Sequence, residues 1–200
     1  MTVSNKETIS QFVDRRNASK KIFTAGPAAL CAENLHGLMP CFGRGDVQYG
    51  DVEERVLSSL KSLTGHQHIA RLQGSGSNAL EIMITNFCYG RVLVIDTGYY
   101  SARALQMAQD ASACYGEITS IEKLHWKSLE SFCGSYDWII GCYTETSIGL
   151  KQDINALQRL SNRLGAKLML DATASVGLEE GHELADVISF SSCKGLFGLT

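Results

Sequence analysis

Near its end the sequence reads "DVISFSSCKGLFG", and Lys194 stands just past a run of buried-strand character, where a strand would deliver an amine to the mouth of a mostly apolar site. A lysine so placed loses its proton more easily than a solvated one and can form an imine with a carbonyl. Asp171 closes another apolar run, "KLMLD", so its partly desolvated carboxylate calls for a cationic partner. Upstream, "LQGSGSNALE" is a glycine-rich turn leading into a helix. Gly74 and Gly76 permit the tight bend, Ser75 and Ser77 add hydroxyls, and the free N–H groups of the helix start suit a phosphate. Tyr99 or Tyr100, in "TGYYSAR", offers an aromatic face to a flat ring. Each feature alone has an ordinary reading as a turn, a strand end, a solvated lysine or a packing aromatic, so their meaning depends on whether one fold gathers them.

Gathering them takes a sheet whose strand ends share an edge. Val52, Val56, Leu60 and Leu63 recur at helical spacing, with Gly65 placed to end that helix. Beyond it short apolar runs alternate with helical patterns: "HIARLQ", "NALEIMITNF", "RVLVID", "SARALQMAQD", "DWIIGCY", "INALQRLSNRLG", "KLMLD" and "DVISFSS". This order predicts an α/β fold, a mainly parallel sheet flanked by helices on both faces. In such sheets ligands bind beyond the carboxyl ends of the strands. There "HIARLQ" opens into "GSGSNALE", "RVLVID" into "TGYYSAR", "DWIIGCY" into "TETSIG", "KLMLD" into "ATASVG", and "DVISFSS" into Cys193 and Lys194. With no internal repeat and no low-complexity linker, the simplest division is a polar N-terminal arm over 1–21 and one domain over 22–200.

The chain of 200 residues is 44% hydrophobic and 20% charged, an ordinary globular balance. A net charge of −3, with basic residues scattered among acids, argues against nucleic acid or an anionic membrane and for small-molecule substrates. The start lacks the apolar core of a signal peptide and no later run suits a bilayer span, which makes the cytoplasm the default location. Seven cysteines with neither a CxxC pair nor metal-like spacing point to no metal and no disulfide framework.

Phosphate turn, aromatic face, carboxylate and amine are together the contacts that hold pyridoxal 5'-phosphate. The motifs "FTAGPAAL", "LQGSGSNALE", "TGYYSAR", "TETSIG", "DATASVG" and "SSCKGLFG", in this order, resemble the class V branch of the fold-type I pyridoxal-phosphate enzymes. Within it they look most like the 2-aminoethylphosphonate:pyruvate aminotransferases, with the alanine:glyoxylate aminotransferases a close second. The likeness runs from about Ile22 to the end of the chain. It implies that Lys194 is the aldimine lysine and moves the proton, and that Asp171 partners the pyridine nitrogen. Ser75, Gly76 and Ser77 match the phosphate turn, Tyr100 the ring cover, Thr146 the hydroxyl near the phenolic oxygen, and Thr173 the residue against the other ring face. It further implies ping-pong transfer from a primary amine to a small keto acid, and a homodimer.

The departures are specific. Ala25, Gly26 and Pro27 stand where the family has "PGP", and Cys193 where relatives carry Gln or a small residue. The family continues past the lysine into further strands and a small C-terminal domain, so this chain is expected to lack that domain and the substrate-carboxylate arginine within it. Three other readings compete. "GSGSNA" with Asp96 about 20 residues on imitates a nicotinamide-dinucleotide fingerprint. A lyase or desulfurase of the same fold would share Lys194 and Asp171, although such relatives usually cover the ring with His. A non-catalytic relative would keep the large-domain fold alone.

Overall fold

The computed structural model describes residues 7–18, 23, 26–38, 41–43 and 45–198. Ile22, Thr24 and Ala25, on which part of the first motif falls, lie outside them. The chain divides into two compact units, Met1–Ser59 with Ser192–Thr200, and Leu60–Ser191.

In the first unit, α1 (Ile9–Ala18) occupies part of the polar arm whose order the sequence leaves open. Thr8 and Gln11 cap its start reciprocally, the Thr8 N–H donating to Gln11 Oε1 and the Gln11 N–H to Thr8 Oγ1. Val13 is its buried contact. Asn17 Nδ2 donates to the Leu30 carbonyl at 3.0 Å, just ahead of α2 (Ala32–His36). The helix read from Val52 to Leu63 is longer, α3 (Val47–Thr64), and its last residues belong to the second unit. It ends as expected: the Gly65 N–H bonds the Lys61 carbonyl and Gly65 turns left-handed at φ +72°.

The second unit holds the sheet. Helix α4 (Gly76–Phe87) leads to β1 (Gly90–Asp96), α5 (Tyr99–Tyr115) and β2 (Ile118–His125). Then follow β3 (Trp138–Cys142), the short pair β4 (Thr144–Glu145) and β5 (Leu150–Lys151), α6 (Ile154–Leu164), β6 (Lys167–Asp171) and β7 (Val187–Ser189). The five-stranded sheet has the order β2-β1-β3-β6-β7, and every neighbouring pair is parallel. Both faces are covered, so the central strands β1, β3 and β6 carry continuous apolar runs whose residues divide by alternation. Leu93, Ile95, Ile139, Leu168 and Leu170 pack with Leu157, Leu160 and Leu164 of α6. On the opposite face Val92, Val94, Ile140 and Met169 meet Leu80, Met83 and Ile84 of α4 and the small stripe Ala104, Ala108 and Ala111 of α5.

Local chemistry fixes the helix ends. Asp153 Oδ1 accepts the N–H groups of Asn155 and Ala156 at the start of α6, and Gly165, at φ +67°, closes it. The run "HIARLQ" does not form a strand. No other segment pairs with it among the described residues, and a strand needs a ladder partner for its backbone groups. Strand β2, which the sequence reading passes over, pairs with β1 at the sheet edge. No helix among the described residues is long and apolar enough to cross a membrane.

Candidate active site

Strand β1 has β2 on one side and β3 on the other, so the connections leaving β1 and β3 diverge and open a crevice beyond their carboxyl ends. Four of the predicted motifs, those with Ser75, Tyr100, Thr146 and Asp171, start at the carboxyl edge of this sheet or pack against residues that do.

Ser75 is the N-cap of α4, and its Oγ accepts the Asn78 N–H at 3.2 Å. Gly76, the first helical residue, is buried, and a Cβ there would lie 2.9 Å from Thr173 Cγ2, 3.0 Å from Thr173 Oγ1 and 3.3 Å from Ser191 Cβ. The glycine is therefore required by close approach, and the serine turn is seated directly on Thr173 and on the segment leaving β7. Ser77 is half-buried one residue further on.

Asp171 ends β6, between Cys142 of β3 and Ser189 of β7 in the ladder. It is 8% exposed, and its Oδ1 accepts the Thr173 N–H at 3.0 Å. Burial raises its pKa above the ordinary carboxylate value; the hydrogen bonds from Thr173 pull it back, the Glu145 charge raises it further, and Arg103 lowers it. A carboxylate at this depth, only partly compensated by Thr173 and Arg103, is a seat for a cation.

Tyr100 lies in the first turn of α5, half-buried, and meets the exposed ring of Tyr99 edge-on with centroids 5.3 Å apart. Thr146 is half-buried in the turn that joins β4 to β5. Between these two lies a residue the sequence reading did not single out. Glu145 is fully buried, and its carboxylate accepts the N–H groups of Tyr100 at 3.1 Å and Ser101 at 3.2 Å and the Thr97 hydroxyl at 3.2 Å. From its own turn it takes the Ser147 N–H at 3.3 Å and the Ser147 hydroxyl at 2.5 Å. An acid between two threonines reads in sequence as a solvated loop, and only its partners Thr97, just after β1, and Tyr100 and Ser101 of α5 reveal its burial.

A second unpredicted pair holds the turn after Asp171. Buried His182 lies 2.9 Å through Nε2 from Ser175 Oγ, which donates to the Ala172 carbonyl, and the Tyr143 ring packs edge-on against the imidazole. Burial lowers the His182 pKa. The Tyr143 hydroxyl in turn donates to the Glu180 carbonyl at 2.6 Å.

Of the predicted site residues, Ser75, Gly76, Ser77, Tyr100, Thr146, Asp171 and Thr173 belong to the second unit, and Lys194 to the first. In the first unit Lys194 lies across Gly26, where a Cβ, at φ +146°, would come 2.7 Å from its Nζ. The loop around it is tied down locally. The Ala28 N–H bonds the Cys193 carbonyl, the Phe197 N–H the Lys194 carbonyl, and Asn34 Nδ2 the carbonyls of Leu196 and Phe197. Gly26, which matches the middle residue of the family's "PGP", thus lies against the lysine itself, while the departing residue, Ala25, lies outside the described residues. The dinucleotide alternative loses its frame, because no paired strand precedes "GSGSNA" among the described residues and Asp96 is paired with Lys123 at 3.0 Å.

The architecture is the fold-type I aminotransferase fold. The pyridoxamine-pyruvate aminotransferase of Mesorhizobium loti superposes with a TM-score of 0.75 at 20% identity, covering 88% of this chain and 48% of that one. The alanine–glyoxylate aminotransferase of Nostoc sp. gives 0.74 at 18% identity, with 92% and 54% covered. In sequence the chain is similar to the 2-aminoethylphosphonate–pyruvate transaminase of Burkholderia ambifaria, 23% identical over a 166-residue alignment, with 78% of this chain and 44% of that protein covered. The chain thus spans less than half the length of that curated relative. No protein-family model matches it.

Proposed function

We propose that residues 22–200 form the cofactor-binding part of a pyridoxal-phosphate-dependent aminotransferase, and that the amino donor is a primary amine of the 2-aminoethylphosphonate kind with a small 2-keto acid such as pyruvate as acceptor. The observation that carries the reading is the packing of the Ser75–Ser77 turn onto Thr173 beside the buried Asp171, whose pKa burial raises. An anion seat and a cation seat that both meet Thr173 match a molecule with a phosphate at one end and a protonated ring nitrogen at the other. The donor set fits that cofactor.

On this reading Ser75, Gly76 and Ser77 hold the phosphate at the positive end of α4. Tyr100 and Thr173 would hold the two ring faces, Thr146 would meet the phenolic oxygen, and Asp171 would keep the ring nitrogen protonated. The bound cofactor supplies an electron sink for the carbon bearing the amine. Lys194 Nζ would hold the cofactor's carbonyl and would be the amine that moves a proton at the substrate carbon. Transfer then runs in two half-reactions, ping-pong fashion. The sequence similarity to the aminoethylphosphonate transaminases favours that donor class, and a cytoplasmic homodimer completes the proposal.

Borohydride reduction of the cofactor-loaded protein tests it directly. The reduced cofactor is expected on the peptide carrying Lys194; labelling of Lys167 or Lys151 instead refutes the assignment. With each amine alone the cofactor spectrum should stop at the aminated form until keto acid is added, whereas elimination products or sulfide formed without keto acid would replace the transaminase reading with a lyase.

A further inference from the structure

Glu145 is a buried carboxylate that none of the roles above uses. A packing position at this depth is ordinarily apolar, since an ionised side chain loses its hydration and recovers the loss only with excellent geometry. Here the geometry is supplied in full. Five donors converge on the two oxygens: the Thr97 hydroxyl, the Tyr100 and Ser101 N–H groups, and the Ser147 N–H and hydroxyl. Two of them are free amides at the start of α5, where a negative charge is favoured by the helix dipole. Gly98 leaves the room required, because a Cβ there would come 3.1 Å from Glu145 Cγ and Cδ and 2.9 Å from Ser147 Oγ. The Tyr99 N–H also donates to that hydroxyl, at 3.2 Å, so Ser147 closes a second link between the same two segments.

The placement gives these bonds their meaning. Thr97 to Ser101 follow β1, and Glu145 to Ser147 follow β3, so the carboxylate spans the crevice at which the strand order reverses. Tyr100 lies on one side of the span and Thr146 on the other. We propose that Glu145 is a positioning residue: it clamps the first turn of α5 to the β4–β5 turn and thereby fixes Tyr100 and Thr146 relative to each other across the gap that a flat ring must enter. The inference rests on the cofactor reading for what enters the gap, and on the hydrogen bonds alone for the clamp.

Glu145→Gln keeps the shape and turns one acceptor into an NH2 that faces donors. In the cofactor-free protein, amide hydrogen exchange at Tyr100 and Ser101 is expected to accelerate by about tenfold or more, the loss of one charge-assisted hydrogen bond. Titration with pyridoxal phosphate should show binding weakened by about tenfold or more, with a shifted visible absorption band. Ser147→Ala, which removes one arm and leaves the carboxylate, should give a smaller change of the same kind, and it carries the test if the Gln variant does not fold. Wild-type exchange at Tyr100 and Ser101 in a folded variant overturns the clamp. Accelerated exchange with unchanged affinity and band overturns its bearing on the ring. A wild-type protein that binds no pyridoxal phosphate overturns the cofactor reading instead, and exchange at the two amides still decides the clamp.

Discussion

Replacing Asp171 by Asn separates what the carboxylate costs the fold from what it gives the ligand. Asn keeps the shape and an oxygen for the Thr173 N–H, now 3.0 Å away, and removes only the charge. Without cofactor that charge is a liability. Burial holds the folded pKa above the ordinary 3.8, so between 3.8 and the raised value the folded chain binds more protons than the unfolded one. Stability therefore falls as pH rises through that window and stays lowered above it. The Asn variant should be the more stable protein near neutral pH, with the difference closing as pH drops below 3.8. With cofactor the sign reverses. A hydrogen bond between charged partners is worth about 1.5–3 kcal/mol. Its loss corresponds to roughly 10- to 150-fold weaker binding. Urea unfolding of the cofactor-free protein at acid and neutral pH, paired with a pyridoxal-phosphate titration, measures both. The reasoning is refuted by a variant that binds the cofactor as tightly as wild type, or that is less stable than wild type at neutral pH without it.

Other outcomes follow from the packing. Gly76→Ala forces a methyl against Thr173 and Ser191, and should cost about 1–3 kcal/mol of overpacking, offset by at most about 1 kcal/mol of helix propensity. Urea midpoints and phosphate competition for the cofactor site check it. Leu160, wholly buried between α6 and the sheet, should lose about 2–5 kcal/mol on truncation to Ala, read by denaturant unfolding. Burial lowers the His182 pKa, so its contribution is present above the ordinary 6.5 and lost as pH falls through the depressed folded value. Urea unfolding from about pH 8 to about pH 5 should show that slope in wild type and its loss in His182→Gln.

The parallel sheet was legible because β1, β3 and β6 are short, apolar and buried on both faces, and because glycines or capping acids mark the helix ends. Asp171 and Lys194 stood out by position, the first ending an apolar run and the second standing just past one. What escaped depended on partners distant in sequence. "ITSIEKLH" buries only Ile118 and Leu124 well, and its charges hide an edge strand that β1 defines. "HIARLQ" has strand composition without a ladder partner among the described residues. Glu145 and His182 carry no local sign of burial, since the groups that satisfy Glu145 come largely from 45 residues away along the chain.

The alternation along β6 has an effect on the folding of the chain itself. Leu168 and Leu170 point into the α6 layer, while Met169 and, by the same two-residue repeat, Asp171 belong to the opposite face. A strand that docked one residue out of step would exchange the two sets and drive the carboxylate among Leu157, Leu160 and Leu164. Such a mispaired sheet would bury an ion with no donor to meet it, a cost of several kcal/mol, and would be rejected in favour of the correct docking. One acid at the tip of a hydrophobic strand is thus an alignment mark during assembly, before any ligand arrives to use it.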